Sequence, residues 1–279
     1  MRKWLITGLM LALFAGCSTV KLGYNNADLL LEWQIDSYFD LTSEQETFVE
    51  ERLDYHLQWH RDTQMPRYSA FTEELAVKLS DGLSSEEYDW FFGEVQSAYR
   101  DLVERIAPDA ATLLRGLSDE QIRHYREKLE ERNEERREWV QRSDEEHLEW
   151  RVERTAERMD EWLGSVSPAQ RIYLKRGLAE IPRTTKYWVQ HSLNRQQAFI
   201  ALLKEKPSHD QFVSRLKSWF IDWEQGQSPE YAAIDERHDR MAKQLALDID
   251  QMLSAEQRQY VVERIRNYQV DFRELAARE

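Results

Sequence analysis

The chain has 279 residues, with 52 acidic against 38 basic side chains and a formal net charge of −14. A surface this acidic is repelled by nucleic acid and by anionic lipid headgroups, so neither is an expected electrostatic partner. One cysteine leaves no intrachain disulfide, so an apolar core must hold the fold.

Arg2 and Lys3 open the chain, and an apolar run from Trp4 to Ala15 follows, interrupted by Thr7 and Gly8. The run is shorter than the roughly 20 apolar residues of a spanning helix and fits the core of a signal peptide. It ends in Leu13-Phe14-Ala15-Gly16-Cys17, which resembles the bacterial lipobox, with Phe14 where Leu is usual. The resemblance implies that residues 1–16 are a signal peptide and that Cys17 is the lipidated first residue of the mature chain. The plainer alternative is a secretory signal with a chance cysteine. Losing residues 1–16 removes two basic and no acidic side chains, which takes the charge from −14 to −16. One acyl chain binds a membrane marginally, at about 0.8 kcal/mol per buried methylene, so three chains are the expected attachment for so acidic a domain. Residues 17–25 are expected to be a tether reaching about 25–30 Å at roughly 3.5 Å per residue.

No alternating Val/Ile/Thr-rich run bounded by turn residues occurs, so strands are not expected. Apolar residues recur instead at spacings of three and four, as in Leu148, Val152, Thr155, Met159 and Trp162. The expected fold is all-α over residues 26–279, an elongated bundle of long antiparallel helices. The helices are predicted at 26–39, 43–80 (bent near Pro66), 84–115 (interrupted at Pro108) and 118–164. Further helices are predicted at 167–205 (interrupted at Pro182), 208–225, 229–252 and 254–277. One bundle or two sub-bundles both fit this pattern, and a joint between two falls near 164–167.

Helix starts repeat one local device: Leu41-Thr42-Ser43-Glu44-Gln45, Leu83-Ser84-Ser85-Glu86-Glu87, Leu117-Ser118-Asp119-Glu120-Gln121, Val166-Ser167-Pro168-Ala169-Gln170 and Leu253-Ser254-Ala255-Glu256-Gln257. Ser or Thr can accept a bond from a first-turn amide, and Gln or Glu three residues on can reach back to the cap amide. Ser228-Pro229-Glu230-Tyr231 is a sixth start without the preceding apolar residue. The starts are unevenly spaced, which excludes a solenoid of fixed period. Gly82, Gly116, Gly164 and Gly226 stand where helices should end.

Four segments are candidates for function. Between Leu129 and Trp139 the apolar stripe of the 118–164 helix is broken by Arg132, Asn133 and Arg136. This stretch is either a solvated, ion-paired arm or a partner-binding groove with Arg132, Arg136, Arg137 and Trp139 as contacts. His56 and His60 stand at i, i+4, a spacing that can chelate a metal. Leu57 replaces the glutamate of a zinc-protease motif, however, and no third ligand is identifiable, so a structural role is the expectation. Leu29-Leu30-Leu31-Glu32-Trp33-Gln34-Ile35 is expected to be a buried helix, or alternatively a helix lying at a membrane interface. The recurrent aromatics, Trp59, Trp90, Trp188 and Trp219 among them, are expected mostly in the core, the alternative being that a minority line a groove for extended peptide or glycan. No phosphate loop, nucleophile elbow or cysteine nucleophile is present, and no cofactor is expected.

Tyr24-Asn25, Leu30-Leu31-x-Trp33, Asp36-Ser37-Tyr38-Phe39-Asp40-Leu41-Thr42 with Glu44-Gln45, and Trp59-His60-Arg61 followed by Pro66-Arg67-Tyr68 form one set of shared residues. Glu131-Arg132-Asn133-Glu134, Trp162-Leu163-Gly164, Pro168-x-Gln170-Arg171 and Trp223-Glu224-x-Gly226-x-Ser228-Pro229 form a second set. Together they resemble a family of Gram-negative lipoproteins known only as a domain of unknown function. The resemblance implies an all-helical lipoprotein and supplies no catalytic residues. Leu41-Thr42-Ser43-Glu44-Gln45 is also similar to the Leu-Thr-x-x-Gln motif of small periplasmic stress proteins, a pattern that capping alone can produce. For a lipoprotein of this kind, Ser18 after the lipidated cysteine implies the periplasmic face of the outer membrane. The leading expectation is therefore a non-catalytic interaction, assembly or chaperone-like module with a protein partner in the envelope. The alternatives are a metal-binding protein or metal-dependent hydrolase using His56 and His60, and a structural spacer between membrane and cell wall.

Overall fold

The computed structural model describes residues 19–277; residues 1–16, expected to be a signal peptide, and Cys17 and Ser18 lie outside them. The described residues contain no strand, and their helices pack into an all-α bundle. In chain order these are α1 (Thr19–Tyr24), α2 (Ala27–Phe39), α3 (Ser43–Trp59), α4 (Met65–Lys78), α5 (Ser85–Arg115) and α6 (Asp119–Gln141). There follow α7 (Asp144–Leu163), α8 (Pro168–Glu180), α9 (Thr185–Glu205), α10 (His209–Ile221), α11 (Pro229–Gln251) and α12 (Ala255–Ala276).

All five predicted capping boxes form with both reciprocal bonds, at Thr42, Ser84, Ser118, Ser167 and Ser254. Ser228 caps through Tyr231 N alone. A seventh start was hidden. The stretch 118–164 is two helices, because Ser143 takes an extended conformation and completes its own box with Glu146. Arg142 precedes it in place of an apolar residue, so the start is lost among the charges. Two prolines also act differently from expectation. Pro108 does not interrupt α5, where the flanking Ala107 and Ala111 are fully buried in the core and hold the helix together across the missing amide bond. The bend at Pro66 is a π-helical turn over His60–Gln64, in which Met65 N donates to His60 O. Pro66 then lies in the first turn of α4, where no amide donor is needed.

The N-terminal segment departs further. Residues 19–24, read as part of an extended tether, are helical and docked on α12, where Lys21 Nζ lies 2.7 Å from Glu274 and 3.3 Å from Asp271. Helix α2 has no buried residue, and Leu29, Leu30, Leu31 and Trp33 are exposed. The expectation of a buried helix fails because α2 meets α3 and α6 along one side only.

Three apolar clusters form the interior. Ala111, Leu117, Ile122, Phe199 and Phe212 unite α5, α6, α9 and α10. Val152, Ala156, Leu174 and Ile249 unite α7, α8 and α11, and Leu75, Ala76, Val262 and Ile265 join α4 to α12. The chain passes from the first cluster to the second at the Arg142–Ser143 turn, returns at α9 and re-enters the second at α11.

The capping glutamines also tie helix starts to one another. Gln170 and Gln257 exchange side-chain amide bonds of 2.9 and 3.0 Å, and each also donates to a carbonyl in the other's approach loop, Met252 O and Ser165 O. Gln45 and Gln121 repeat the exchange at 3.3 and 2.6 Å, with Gln121 donating to Asp40 O. Of the boxes with Glu at the same position, Glu146 is solvent-exposed and Glu87 is half-buried, and neither carboxylate meets a second box. Two carboxylates could not pair in this way, since neither has a proton to donate and both would be buried as charges.

Candidate functional site

The four residues predicted as a partner site do not converge. The Arg132 guanidinium lies 4.9 Å from the Tyr38 ring, Arg137 bonds Glu130 at 2.7 Å, and Arg136 sits 5.2 Å from the Trp188 ring. Trp139 meets His147 and Trp150 edge-on at 4.6 and 4.8 Å. Only Arg136 and Trp139 share a concavity, a shallow one against Trp188. The break in the apolar stripe is filled from within, as Asn133 is buried and exchanges amide bonds of 2.8 and 3.2 Å with Gln196.

His56 and His60 occupy separate environments. His56 Nε2 is 2.8 Å from Asp109, while His60 lies between the hydroxyls of Tyr24, at 3.0 Å, and Tyr68, at 3.4 Å. Burial lowers the pKa of both rings, and in His56 it outweighs the neighbouring carboxylate. Among the described residues no group of three His, Cys, Asp or Glu is placed to hold a metal ion.

An apolar concavity lies elsewhere, between α7, α8 and α11. It has a volume of about 540 Å³ and is lined by Met159, Trp162, Leu174, Leu178, Leu245 and Ile249, among others, with Arg151, Arg158 and His238 also on its walls. That volume is within the roughly 300–1,000 Å³ of ligand-binding clefts. Its shape follows from local sequence. Gly177 brings α8 close to α11, where a Cβ would stand 2.5 Å from Leu245 Cδ1. Gly164 ends α7 in the left-handed conformation with the Tyr260 ring 3.2 Å from where a Cβ would stand, so a side chain there would be strained and would push the ring aside by a few tenths of an ångström. Trp162, two residues earlier, stacks on Tyr268 at 5.7 Å under the Arg264 guanidinium.

Polar locks hold the end of the groove. The Gln170–Gln257 exchange fixes the starts of α8 and α12. Asp250 receives a two-pronged ion pair from Arg258, at 3.0 and 3.1 Å, and accepts Leu83 N at 2.8 Å. Leu83 and Asp250 both line the groove, so its end is held before any occupant arrives. A second apolar concavity of about 510 Å³ lies between α4, α5 and α12, and Trp162 borders both. Sequence reasoning placed Met159 and Trp162 on one helical stripe but had no means of seeing that the stripe borders a cleft, because the facing α11 comes from a distant part of the chain.

Among the described residues no helix is long and apolar enough to cross a membrane. No curated protein and no solved structure matches the chain. A family model matches residues 37–232, from the end of α2 to the start of α11, well over half of the sequence, and by that match the chain belongs to a family of unknown function, DUF6279.

Proposed function

We propose that this protein is a non-catalytic envelope lipoprotein, held through Cys17 at the periplasmic face of the outer membrane, that offers the Trp162 groove to an apolar segment of a partner polypeptide. The carrying observation is the groove itself: an apolar concavity with pre-set walls and cationic side chains among its lining residues. Apolar walls bind without regard to sequence, while Arg151 and Arg158 suit the backbone carbonyls or acidic flanks of an extended segment. The lipobox-like Leu13–Cys17 stretch and the acidic surface support lipid as the means of attachment. The four residues Arg132, Arg136, Arg137 and Trp139 are not offered as the contact site, since they face different neighbours.

The test is the ability of the purified protein to keep a chemically unfolded model protein from aggregating, followed by light scattering. Ala246→Trp, which fills the groove, and Met159→Glu, which charges it, should each abolish protection while circular dichroism stays native. Undiminished protection by both variants, or none from the unaltered protein, would overturn the reading.

A further inference from the structure

Helix α2, which begins ten residues after Cys17 in the chain, carries an exposed apolar face. Leu29, Leu30 and Trp33 are 57–67% exposed. Leu29 and Trp33 stand at i, i+4 with Leu30 beside them, so the three share one side of the helix. Asn26, Gln34 and Ser37 complete that side, and none of the six is charged. The acidic residues of α2 lie on the flank toward α3. Asp36 Oδ1 accepts Leu41 N at 2.9 Å, and burial together with Glu50, Asp28 and Asp54 raises the pKa of Glu32. Leu22 in α1 is a further exposed apolar residue just upstream.

Large apolar side chains gathered on one uncharged face are costly in water, and a tryptophan among them suits the boundary between headgroups and acyl chains. The position of this face in the chain selects the occupant. Cys17 stands two residues before α1, and α1 is docked on α12 by Lys21, so a lipid on Cys17 would start within a few ångströms of a fixed part of the domain. Chain between the acyl groups and α2 is too short, and too firmly held, to keep α2 far from the bilayer.

We infer that the Leu29–Leu30–Trp33 face of α2 lies in the headgroup region of the bilayer, as a second membrane contact that orients the domain on its lipid anchor. This rests on the lipoprotein reading above and adds to it a defined surface and a defined depth. A second copy of the chain, or a protein partner, is the competing occupant.

A lipidated Cys17 thiol is blocked, so Leu30→Cys introduces a single free thiol for an environment-sensitive fluorophore. The labelled protein is mixed with phosphatidylcholine vesicles, which carry no net charge to repel the acidic domain. A blue shift and loss of quenching by aqueous iodide at position 30, with no change for a label at Ala233→Cys, would support the inference. Leu29→Glu with Trp33→Glu should weaken partitioning of the unlipidated Cys17→Ser chain by about a hundredfold, roughly tenfold for each apolar residue kept in water. A probe at 30 that stays open to iodide on vesicle-bound protein would overturn it, as would a shift that needs no vesicles and grows with protein concentration, the mark of self-association. The mass of the N-terminal peptide reads the lipid on Cys17 separately. A chain found without lipid would defeat the anchor reading, and the partitioning of the unlipidated chain would still decide the role of α2.

Discussion

Gln170 and Gln257 each close the capping box of their own helix and, with the same amide groups, hold each other across the space between α8 and α12. Each carboxamide oxygen accepts its own cap amide and the partner's N–H, and each nitrogen also serves a carbonyl of the opposite loop. One side chain thus satisfies the start of its own helix and fixes the position of another.

Gln170 is almost fully buried, and its replacement by Ala would strand the Ser167 amide and part of the Gln257 amide. Buried unsatisfied groups cost about 1–3 kcal/mol each, so Gln170→Ala should lose about 2–4 kcal/mol in urea unfolding. Glu146→Gln, in an exposed box, should change stability by less than about 0.5 kcal/mol. Equal effects from the two would show that the cross-pairing contributes nothing.

Arg195 supports a different helix end. Its guanidinium lies 5.0 and 4.5 Å from the rings of Trp219 and Trp223 and donates to Trp219 O and, at 3.2 Å, to Asp222 O. His191 Nε2 donates to Trp223 O at 2.7 Å. Arg195→Met keeps the apolar stem but leaves these carbonyls unpaired, with an expected loss of about 2–4 kcal/mol. Arg195→Lys should recover less than half of it, since one ammonium cannot reproduce the fork between two rings. Full recovery by Lys in chemical denaturation would show that charge alone matters.

Acid should destabilise the protein well before its surface carboxylates titrate. Burial lowers the folded-state pKa of His56, His60 and His147, whereas an unfolded histidine titrates near about 6.5. Below that value protons bind the unfolded chain first. Stability is therefore complete above about pH 6.5 and falls as pH drops toward the lowered pKa values. Thermal unfolding between pH 7.5 and 5 should show the decline, and His60→Gln should flatten it. A midpoint that rises on acidification over this range would contradict the burial of these rings.

Much of the architecture was legible because helix starts are local chemistry. Ser or Thr followed by Gln or Glu at the third position marked five boxes, and all five form. Ser143 escaped notice because Arg142 stands where an apolar residue flagged the others. The difference between Gln and Glu at the third position was also present in the sequence: Gln marks the boxes that pair across helices, and Glu those that close on their own cap alone. Which glutamine meets which depends on contacts across 76 and 87 positions, beyond any local pattern. The broken stripe near Asn133 looked like a surface feature because its filler, Gln196, lies 63 residues away. The groove was hidden for the same reason, with walls drawn from α7, α8 and α11. The apolar run at Leu29–Ile35 was plain in the sequence, yet only the packing of α2 on one side shows that it faces outward.

The most direct test of the groove as the working surface is photocrosslinking of an unfolded model protein to the purified chain, with the photoreactive side chain at Arg158 on the groove or at Arg136 on α6. The account predicts strong, site-specific crosslinks from position 158, lost when Ala246→Trp fills the groove, and background from position 136. Crosslinks that come from 136, or that persist at 158 with the groove filled, would contradict it.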